Sequence, residues 1–303
     1  MQILLACAKT MADAEGAAAT TATSAMPVAS ATTVTPVTSA ASVPPVPFVP
    51  SEGSMPESPV PSEAAALSAA SVTRPRFAAE ASELALTAAA LSVEELAALL
   101  RVDRRIAAAC ALRYRRFHDA EAPSTAAIAA YAGIVFKRIA AHDFSAAELA
   151  FAQGRINIVS FLYGLLRPLD GVRPYRMEGD ARLLAADDRT LFAYWRPMLT
   201  DELIARTKAD DGVLVDLASA EMKRMFDWRR VCREVRVVTP EFRVAAGERL
   251  RTVTVYAKMC RGEMTRYAVK HRLDDPEGLK AFAWEGFRFD AARSEGDRWM
   301  FVL

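Results

Sequence analysis

The chain has 303 residues, a formal net charge of +1 at pH 7 and 25% charged residues, which is ordinary globular usage. This near-neutral balance excludes a protein that is basic over its whole surface, although a local basic cleft stays compatible with it. Runs of about eighteen or more apolar residues are absent, so we expect no helix that spans a membrane and no membrane partner.

The N-terminal segment MQILLACAKT predicts a short buried strand. Its apolar run is continuous, as is typical of strands in parallel sheets. The segment lacks the basic start of a signal peptide, and Lys9 interrupts the apolar run. We therefore assign residues 1–12 to the first core strand of a domain.

The cysteines are too scattered for a zinc site or a disulfide framework, since both need ligands or partners at characteristic spacings. They are Cys7, Cys110, Cys232 and Cys260. We expect reduced thiols with Cys7 buried, no metal site and no cofactor.

Residues 13–75 differ from the rest of the chain, because they consist mainly of Ala, Thr, Ser, Pro and Val with hardly any charge. Such a segment cannot bury enough apolar area to offset its ordering entropy. We predict a disordered insertion, and since a core strand precedes it, residues 76–303 complete the same domain.

Beyond the insertion, the pattern predicts helices first and strands later. One helical segment spans 92–117, beginning with a capping box of Ser92 and Glu95. Alternating polar and apolar residues predict strands over 233–242 and 248–258. Helices and strands do not alternate strictly, so we predict an α/β fold with a mixed sheet flanked by helices.

The densest group of cations lies between Leu162 and Arg176. Arg167 and Arg173 each precede a proline, which pushes both out of helical conformation. Rigid arginines suit phosphate or carboxylate, which their planar fork grips bidentately. The alternative is that these arginines pair with nearby acidic residues and only hold the loop.

Two further groups are candidates. In one, a strand is expected to end near Lys258 and a helix to begin soon after, so that Lys258 and Arg261 could bind an anion at the junction. A solvated basic turn is the alternative.

In the second group, Ser219 and Glu221 follow a buried strand, where functional side chains often lie in open α/β sheets. The alternative is that Ser219 simply caps the next helix.

Several enzyme classes are disfavoured. The three histidines form no triad pattern with Ser219, so serine hydrolysis is not expected. Neither a dinucleotide-binding glycine fingerprint nor a phosphate-binding P-loop motif is present.

The same stretches resemble the YaaA peroxide-stress family. The motifs that carry the resemblance are AKT at 8–10, LYGLLRPLD at 162–170, RPYR at 173–176, DLASAE at 216–221, YAKMCRG at 256–262 and EGFRFD at 285–290. They are collinear over the chain except in 13–75. The sequence departs from the family pattern at Cys7, Phe161, Asp216 and Met222.

The resemblance implies a cytoplasmic protein that helps cells survive peroxide, limits free intracellular iron and so limits DNA damage. It also implies a basic cleft and a helix-hairpin-helix-like element that binds DNA, although no Gly-hydrophobic-Gly hairpin is found in the sequence. We predict low-specificity DNA binding through seven cations, which are Lys9, Arg167, Arg173, Arg176, Lys258, Arg261 and Arg266.

The alternative is an enzyme acting on a small phosphorylated or anionic substrate in the same cleft, with Ser219 and Glu221 as candidate catalytic residues. We favour a protein that is not an enzyme. Direct iron binding is the least favoured hypothesis, because histidines are few and cysteines are scattered.

Overall fold

A computed structural model of the protein describes residues 1–12, 66–67, 70–247 and 249–303. The strands are β1 (Gln2–Ala6), β2 (Thr125–Ala126), β3 (Ile156–Ser160), β4 (Gly164–Leu166), β5 (Gly171–Val172), β6 (Val213–Leu217), β7 (Arg236–Ala246), β8 (Arg249–Arg251), β9 (Ala283–Trp284), β10 (Phe287–Glu295) and β11 (Arg298–Val302).

The helices flank the main sheet and contribute much of the core. They are α1 (Ala78–Ala89), α2 (Val93–Leu100), α3 (Arg104–Arg115), α4 (Ala127–Ala130), α5 (Ile134–Ile139), α6 (Ala146–Arg155), α7 (Leu191–Ala209), α8 (Ala220–Lys223), α9 (Trp228–Glu234) and α10 (Thr254–Lys270). Within the described part of the chain, no helix is both long and apolar enough to cross a membrane.

The main sheet is mixed, which confirms the predicted fold class. Its order is β4-β3-β1-β6-β7-β11-β10-β9, with β8 paired to β7. Strands β3, β1, β6, β7 and β11 are parallel neighbours, whereas β4, β8, β9 and β10 pair antiparallel. Strands β2 and β5 form a separate antiparallel pair.

Strand β1 lies inside the parallel part, between β3 and β6, as its continuous apolar run predicts. Leu5 is fully buried and is in register with Ile158 on one side and Leu217 on the other. The chain passes from β1 to β3 on one side and then crosses to β6 on the opposite side. The direction of the strand order therefore reverses at β1, and this reversal positions the candidate site.

The predicted insertion falls largely on residues outside the described ranges. Its last residues do lie within them, and there Thr73 belongs to the fold. The Thr73 amide donates to Leu169 O at 2.8 Å, and its hydroxyl donates to Asp170 at 2.7 Å. The described core therefore resumes before residue 76.

Two predicted elements are wrong in detail. The helical segment 92–117 is two helices, because Asp103 caps the start of α3 by accepting from the Ile106 amide at 2.9 Å. The strand predicted to end near Lys258 is also wrong, because α10 already begins at Thr254. Threonine, valine and tyrosine favour strands, but packing of one helical face against the core overrides that preference.

Candidate functional site

The parallel strands place three chain segments side by side at one edge of the sheet. Since β1, β3 and β6 run in the same direction, Cys7, Phe161 and Ala218 all follow the carboxyl ends of their strands. The Cys7 amide donates to Val159 O at 3.0 Å, which holds the exit of β1 against β3. Side chains that follow these strands can therefore act together.

Asp216 is a carboxylate in β6 that is only 3% exposed. Lys223, at the end of α8, pairs with it at 2.8 Å, and the Ala218 amide donates to it at 3.1 Å. Burial raises the pKa of Asp216 even though Lys223 opposes the shift. The Asp216–Lys223 ion pair thus lies near the carboxyl end of β6, an interior strand of the sheet.

Arg261, in the second turn of α10, faces the same carboxylate. Burial lowers the pKa of its guanidinium, and the charge of Asp216 counteracts the shift only in part. Among the described residues, the Arg261 side chain has no hydrogen bond or ion pair. A partly buried guanidinium in this state keeps its donors available.

A second group lies where β1 ends. Lys9 pairs with Glu178 at 2.6 Å, and Arg176 lies 3.5 Å from the other oxygen of the same carboxylate. The Nε of Arg176 is buried and has no hydrogen-bond partner among the described residues. Glu178 therefore pairs with both Lys9 and Arg176, and the Nε donor of Arg176 is left without an acceptor.

Hydroxyl groups beneath the edge fix this group in place. The Tyr175 hydroxyl is 2.7 Å from Ser160 Oγ and 3.0 Å from the Tyr131 hydroxyl, and all three side chains are buried. Because Tyr175 is anchored, the backbone of Arg176 is anchored with it.

Cys7 connects the two groups. Burial raises the pKa of its thiol to about 12, the Tyr175 hydroxyl lowers it, and the Glu221 carboxylate raises it further. Cys7 thus contacts Tyr175 and lies within electrostatic range of Glu221. A thiol with this pKa is protonated at neutral pH and is a poor nucleophile.

We call the charged side chains at this edge the strand-edge cluster. Its members are Lys9, Arg176, Glu178, Asp216, Glu221, Lys223 and Arg261.

Of the candidate catalytic pair of the enzyme alternative, Glu221 is a member of this cluster and Ser219 lies two residues before it. The Ser219 hydroxyl accepts from the Met222 amide at 3.3 Å, which is the capping role considered from the sequence. Glu221 is exposed. Catalysis by either residue stays a prediction.

Two of the predicted anion-binding arginines are engaged within the protein. The Arg173 guanidinium donates to Phe117 O and, at 3.1 Å, to Ala122 O, so it closes the loop after α3. The Arg266 guanidinium grips Asp143 through two hydrogen bonds of 2.7 and 2.6 Å. These contacts use the planar fork that an external phosphate would need.

The remaining two predicted cations lie apart from the cluster. Arg167 follows β4, which runs antiparallel to β3, so it lies toward the opposite edge of the sheet. Lys258 is exposed on the first turns of α10. Lys9 and Arg176 therefore share Glu178 beyond the end of β1, and Arg261 faces Asp216 near the end of β6, whereas Arg167 lies at the opposite end of the strands.

A helical hairpin that the sequence reading missed joins α2 to α3. Arg101 adopts a left-handed conformation with φ of 52° at the end of α2. The Val102 amide donates to Ala97 O at 3.1 Å and the Arg101 amide to Ala98 O at 3.4 Å, which is a Schellman closure. The turn between the two helices is therefore Arg101-Val102-Asp103, in place of a Gly-hydrophobic-Gly sequence. The N-capping potential of Asp103 was the available signal.

A cavity of about 390 Å³ opens between α1 and α7. It is lined by Arg76, Phe77, Glu80, Met198, Asp201, Glu202 and Ala205. In the described ranges, no group of three or more His, Cys, Asp or Glu side chains is arranged to hold a metal ion.

Comparison with known proteins identifies relatives over most of the chain. The family described as "Peroxide stress protein YaaA" matches residues 46–293. A UPF0246 protein of Bacteroides fragilis is 51% identical over 230 residues, which cover 76% of this chain and 90% of that protein. UPF0246 proteins of Parabacteroides distasonis and Ralstonia nicotianae are 43% and 38% identical, each over 76% of this chain and 91% and 90% of their own lengths.

Proposed function

The chain belongs to the peroxide stress protein YaaA family, and we propose that it acts in peroxide stress by binding DNA through the α2–α3 hairpin. Two helices joined by a tight turn present backbone amides and a helix N-terminus, which are groups that contact DNA phosphates. The observation that carries the proposal is the left-handed Arg101 turn between α2 and α3.

The side chains around the hairpin have the charge that phosphate binding needs. Arg101 and Arg104 are 74% and 82% exposed, and Arg105 is exposed beside them. Arg104 pairs with Glu94 at 2.9 Å and Arg101 lies 3.8 Å from Asp180. Exposed pairs of this kind contribute about 1 kcal/mol or less, so phosphates can displace them.

The hairpin differs from a glycine-rich one at its last position. Asp103 places a carboxylate at the N-terminus of α3 and accepts from the Ile106 amide. A negative charge there opposes a phosphate at the same helix end. Affinity for duplex DNA therefore depends on the flanking arginines, and the contacts are to the backbone and carry little sequence preference.

Bound to DNA in the cytoplasm, the protein shields the duplex from damage that iron and peroxide cause together. This part of the proposal is supported by the family's association with peroxide stress. Its test is nicking of a plasmid by ferrous iron and peroxide, with and without the protein. Protection that persists in a hairpin variant deficient in DNA binding would contradict it.

Fluorescence anisotropy with a labelled duplex tests the DNA proposal. The test variant changes Arg101, Arg104 and Arg105 to Gln, and the control changes the exposed Arg229, Arg233 and Arg288 to Gln, so the net charge falls equally. We expect the hairpin variant to bind about tenfold or more weakly, because phosphate contacts dominate affinity. If both variants lose the same affinity for DNA, the loss reflects net charge and not the hairpin. If the wild type does not bind duplex DNA at low salt, the proposal is wrong.

A further inference from the structure

Arg261 differs from the other arginines discussed because it is partly buried and yet has no hydrogen bond or ion pair among the described residues. Removing an arginine from water is unfavourable unless a partner compensates it. Asp216 does not supply that partner, since Lys223 holds its oxygen at 2.8 Å and the Ala218 amide holds the other. The Arg261 fork therefore has donors without a protein acceptor.

Arg176 shows the same shortage of acceptors. Its Nε is buried without a partner, and its remaining ion pair, to Glu178, is long at 3.5 Å. Glu178 is held more closely by Lys9, at 2.6 Å. Buried donors in native proteins are nearly always hydrogen-bonded, so an unsatisfied one calls for an explanation.

The topology places both arginines near the position where open α/β sheets bind ligands. From β1 the chain goes to β3 on one side and later to β6 on the other, so the strand order reverses between β1 and β6. Ligands bind outside the strand ends at such a reversal. Cys7 stands at this point, within electrostatic range of Glu221 and in contact with Tyr175.

We propose that the protein binds a small molecule outside the carboxyl ends of β1 and β6 through an oxyanion group, a phosphate or a carboxylate, held by the forks of Arg261 and Arg176. The planar guanidinium matches two oxygens of either group. The proposed site uses none of the hairpin arginines Arg101, Arg104 and Arg105.

Isothermal titration calorimetry of the full chain tests this inference, with inorganic pyrophosphate and malonate as probes at constant ionic strength. The variants are Arg261→Met and the exposed control Arg251→Met. We expect saturable binding of at least one probe to the wild type and binding about tenfold or more weaker to Arg261→Met, since that variant loses charge-assisted hydrogen bonds to the oxyanion. The control binds as the wild type does. Preference for pyrophosphate identifies a phosphorylated ligand, and preference for malonate a carboxylate.

A conservative variant guards against loss of folding. Arg261→Lys keeps the charge but lacks the fork, so we expect affinity between those of the wild type and Arg261→Met. Circular dichroism and thermal unfolding establish that each variant is folded. Absence of saturable binding of both probes up to about 10 mM, or equal affinity in wild type and Arg261→Met, would overturn the inference.

Discussion

Two arginines on the same helix lie in opposite environments. Arg266 of α10 donates to both oxygens of Asp143 and to the carbonyls of Ile139 and Ala140. Arg261, five residues earlier, has no protein acceptor among the described residues. The comparison teaches that a basic residue in a sequence motif can either hold the fold or be available to a ligand, and that the acceptors around it decide which.

The region around Arg266 is a closed ion network. Lys270 pairs with Asp143 at 3.5 Å and with Glu148 at 3.0 Å, and Glu148 also completes the capping box of α6. The hydrogen bonds from Arg266 lower the pKa of Asp143, although burial opposes the shift. In the strand-edge cluster, by contrast, Arg176 and Arg261 have hydrogen-bond donors for which the described residues supply no acceptor.

The largest effect is expected for Arg266→Met. Removing the guanidinium leaves Asp143 and the carbonyls of Ile139 and Ala140 without these hydrogen bonds. We therefore expect destabilisation of about 2 kcal/mol, after allowance for the partial exposure of Asp143. Urea unfolding measures it, with the exposed Arg272→Met as a control that stays within about 0.5 kcal/mol. A loss no greater than the control's would mean that the network does not hold α10.

The next effect concerns Lys223→Met, which removes the partner of the buried Asp216. We expect a loss of about 1–2 kcal/mol at neutral pH. The folded pKa of Asp216 is raised by burial, so its unfavourable contribution appears as pH rises from the unfolded value of 3.8 through the folded pKa. The loss caused by Lys223→Met should therefore shrink as pH is lowered.

Thermal unfolding across this pH range, for Lys223→Met alone and with Asp216→Asn, checks the assignment. The added Asp216→Asn should restore most of the stability and remove the pH dependence. A pH dependence that survives in the double variant would assign the effect to another group.

A smaller effect of opposite sign is expected for the stability of Arg261→Met. Because a partly buried charge without an ion-pair partner is replaced by an apolar side chain, we expect stability to be unchanged or higher by about 1 kcal/mol. Urea unfolding beside Arg266→Met gives the direct comparison. A loss as large as that of Arg266→Met would show that Arg261 is structural and would remove the contrast.

The smallest effect is expected for Asp103→Asn at the hairpin. Asparagine caps helices as well as aspartate does, so α3 should persist while the charge at its N-terminus disappears. We expect duplex DNA to bind about two- to fivefold more tightly, as a helix-end charge of about 0.3–1 kcal/mol implies. Anisotropy at low salt measures this, and unchanged affinity would place the DNA away from the start of α3.

Local signals in the sequence predicted local structure well. The capping box at Ser92 and the buried strand β1 are confirmed. The start of α10 was missed, because Thr254, Val255 and Tyr256 have strand propensity and only packing against the core makes them helical.

The roles of the cations were less predictable, since their partners are distant in sequence. Arg173 closes a loop whose carbonyls lie at Phe117 and Ala122. Arg167 and Arg176 belong to one motif, yet the β3–β4 hairpin sends Arg167 toward the other edge of the sheet. Motif spacing showed that the residues could bind anions but not which acceptors the fold would supply.

The measurement that tests the account most directly is the salt dependence of duplex DNA binding for the wild type, the hairpin triple variant and Arg261→Met. We predict that the slope of log affinity against log salt falls by about two to three in the hairpin variant, at about 0.9 per lost phosphate contact, and is unchanged in Arg261→Met. A wild-type slope in the hairpin variant, together with a reduced slope in Arg261→Met, would contradict it and move the DNA to the strand-edge cluster.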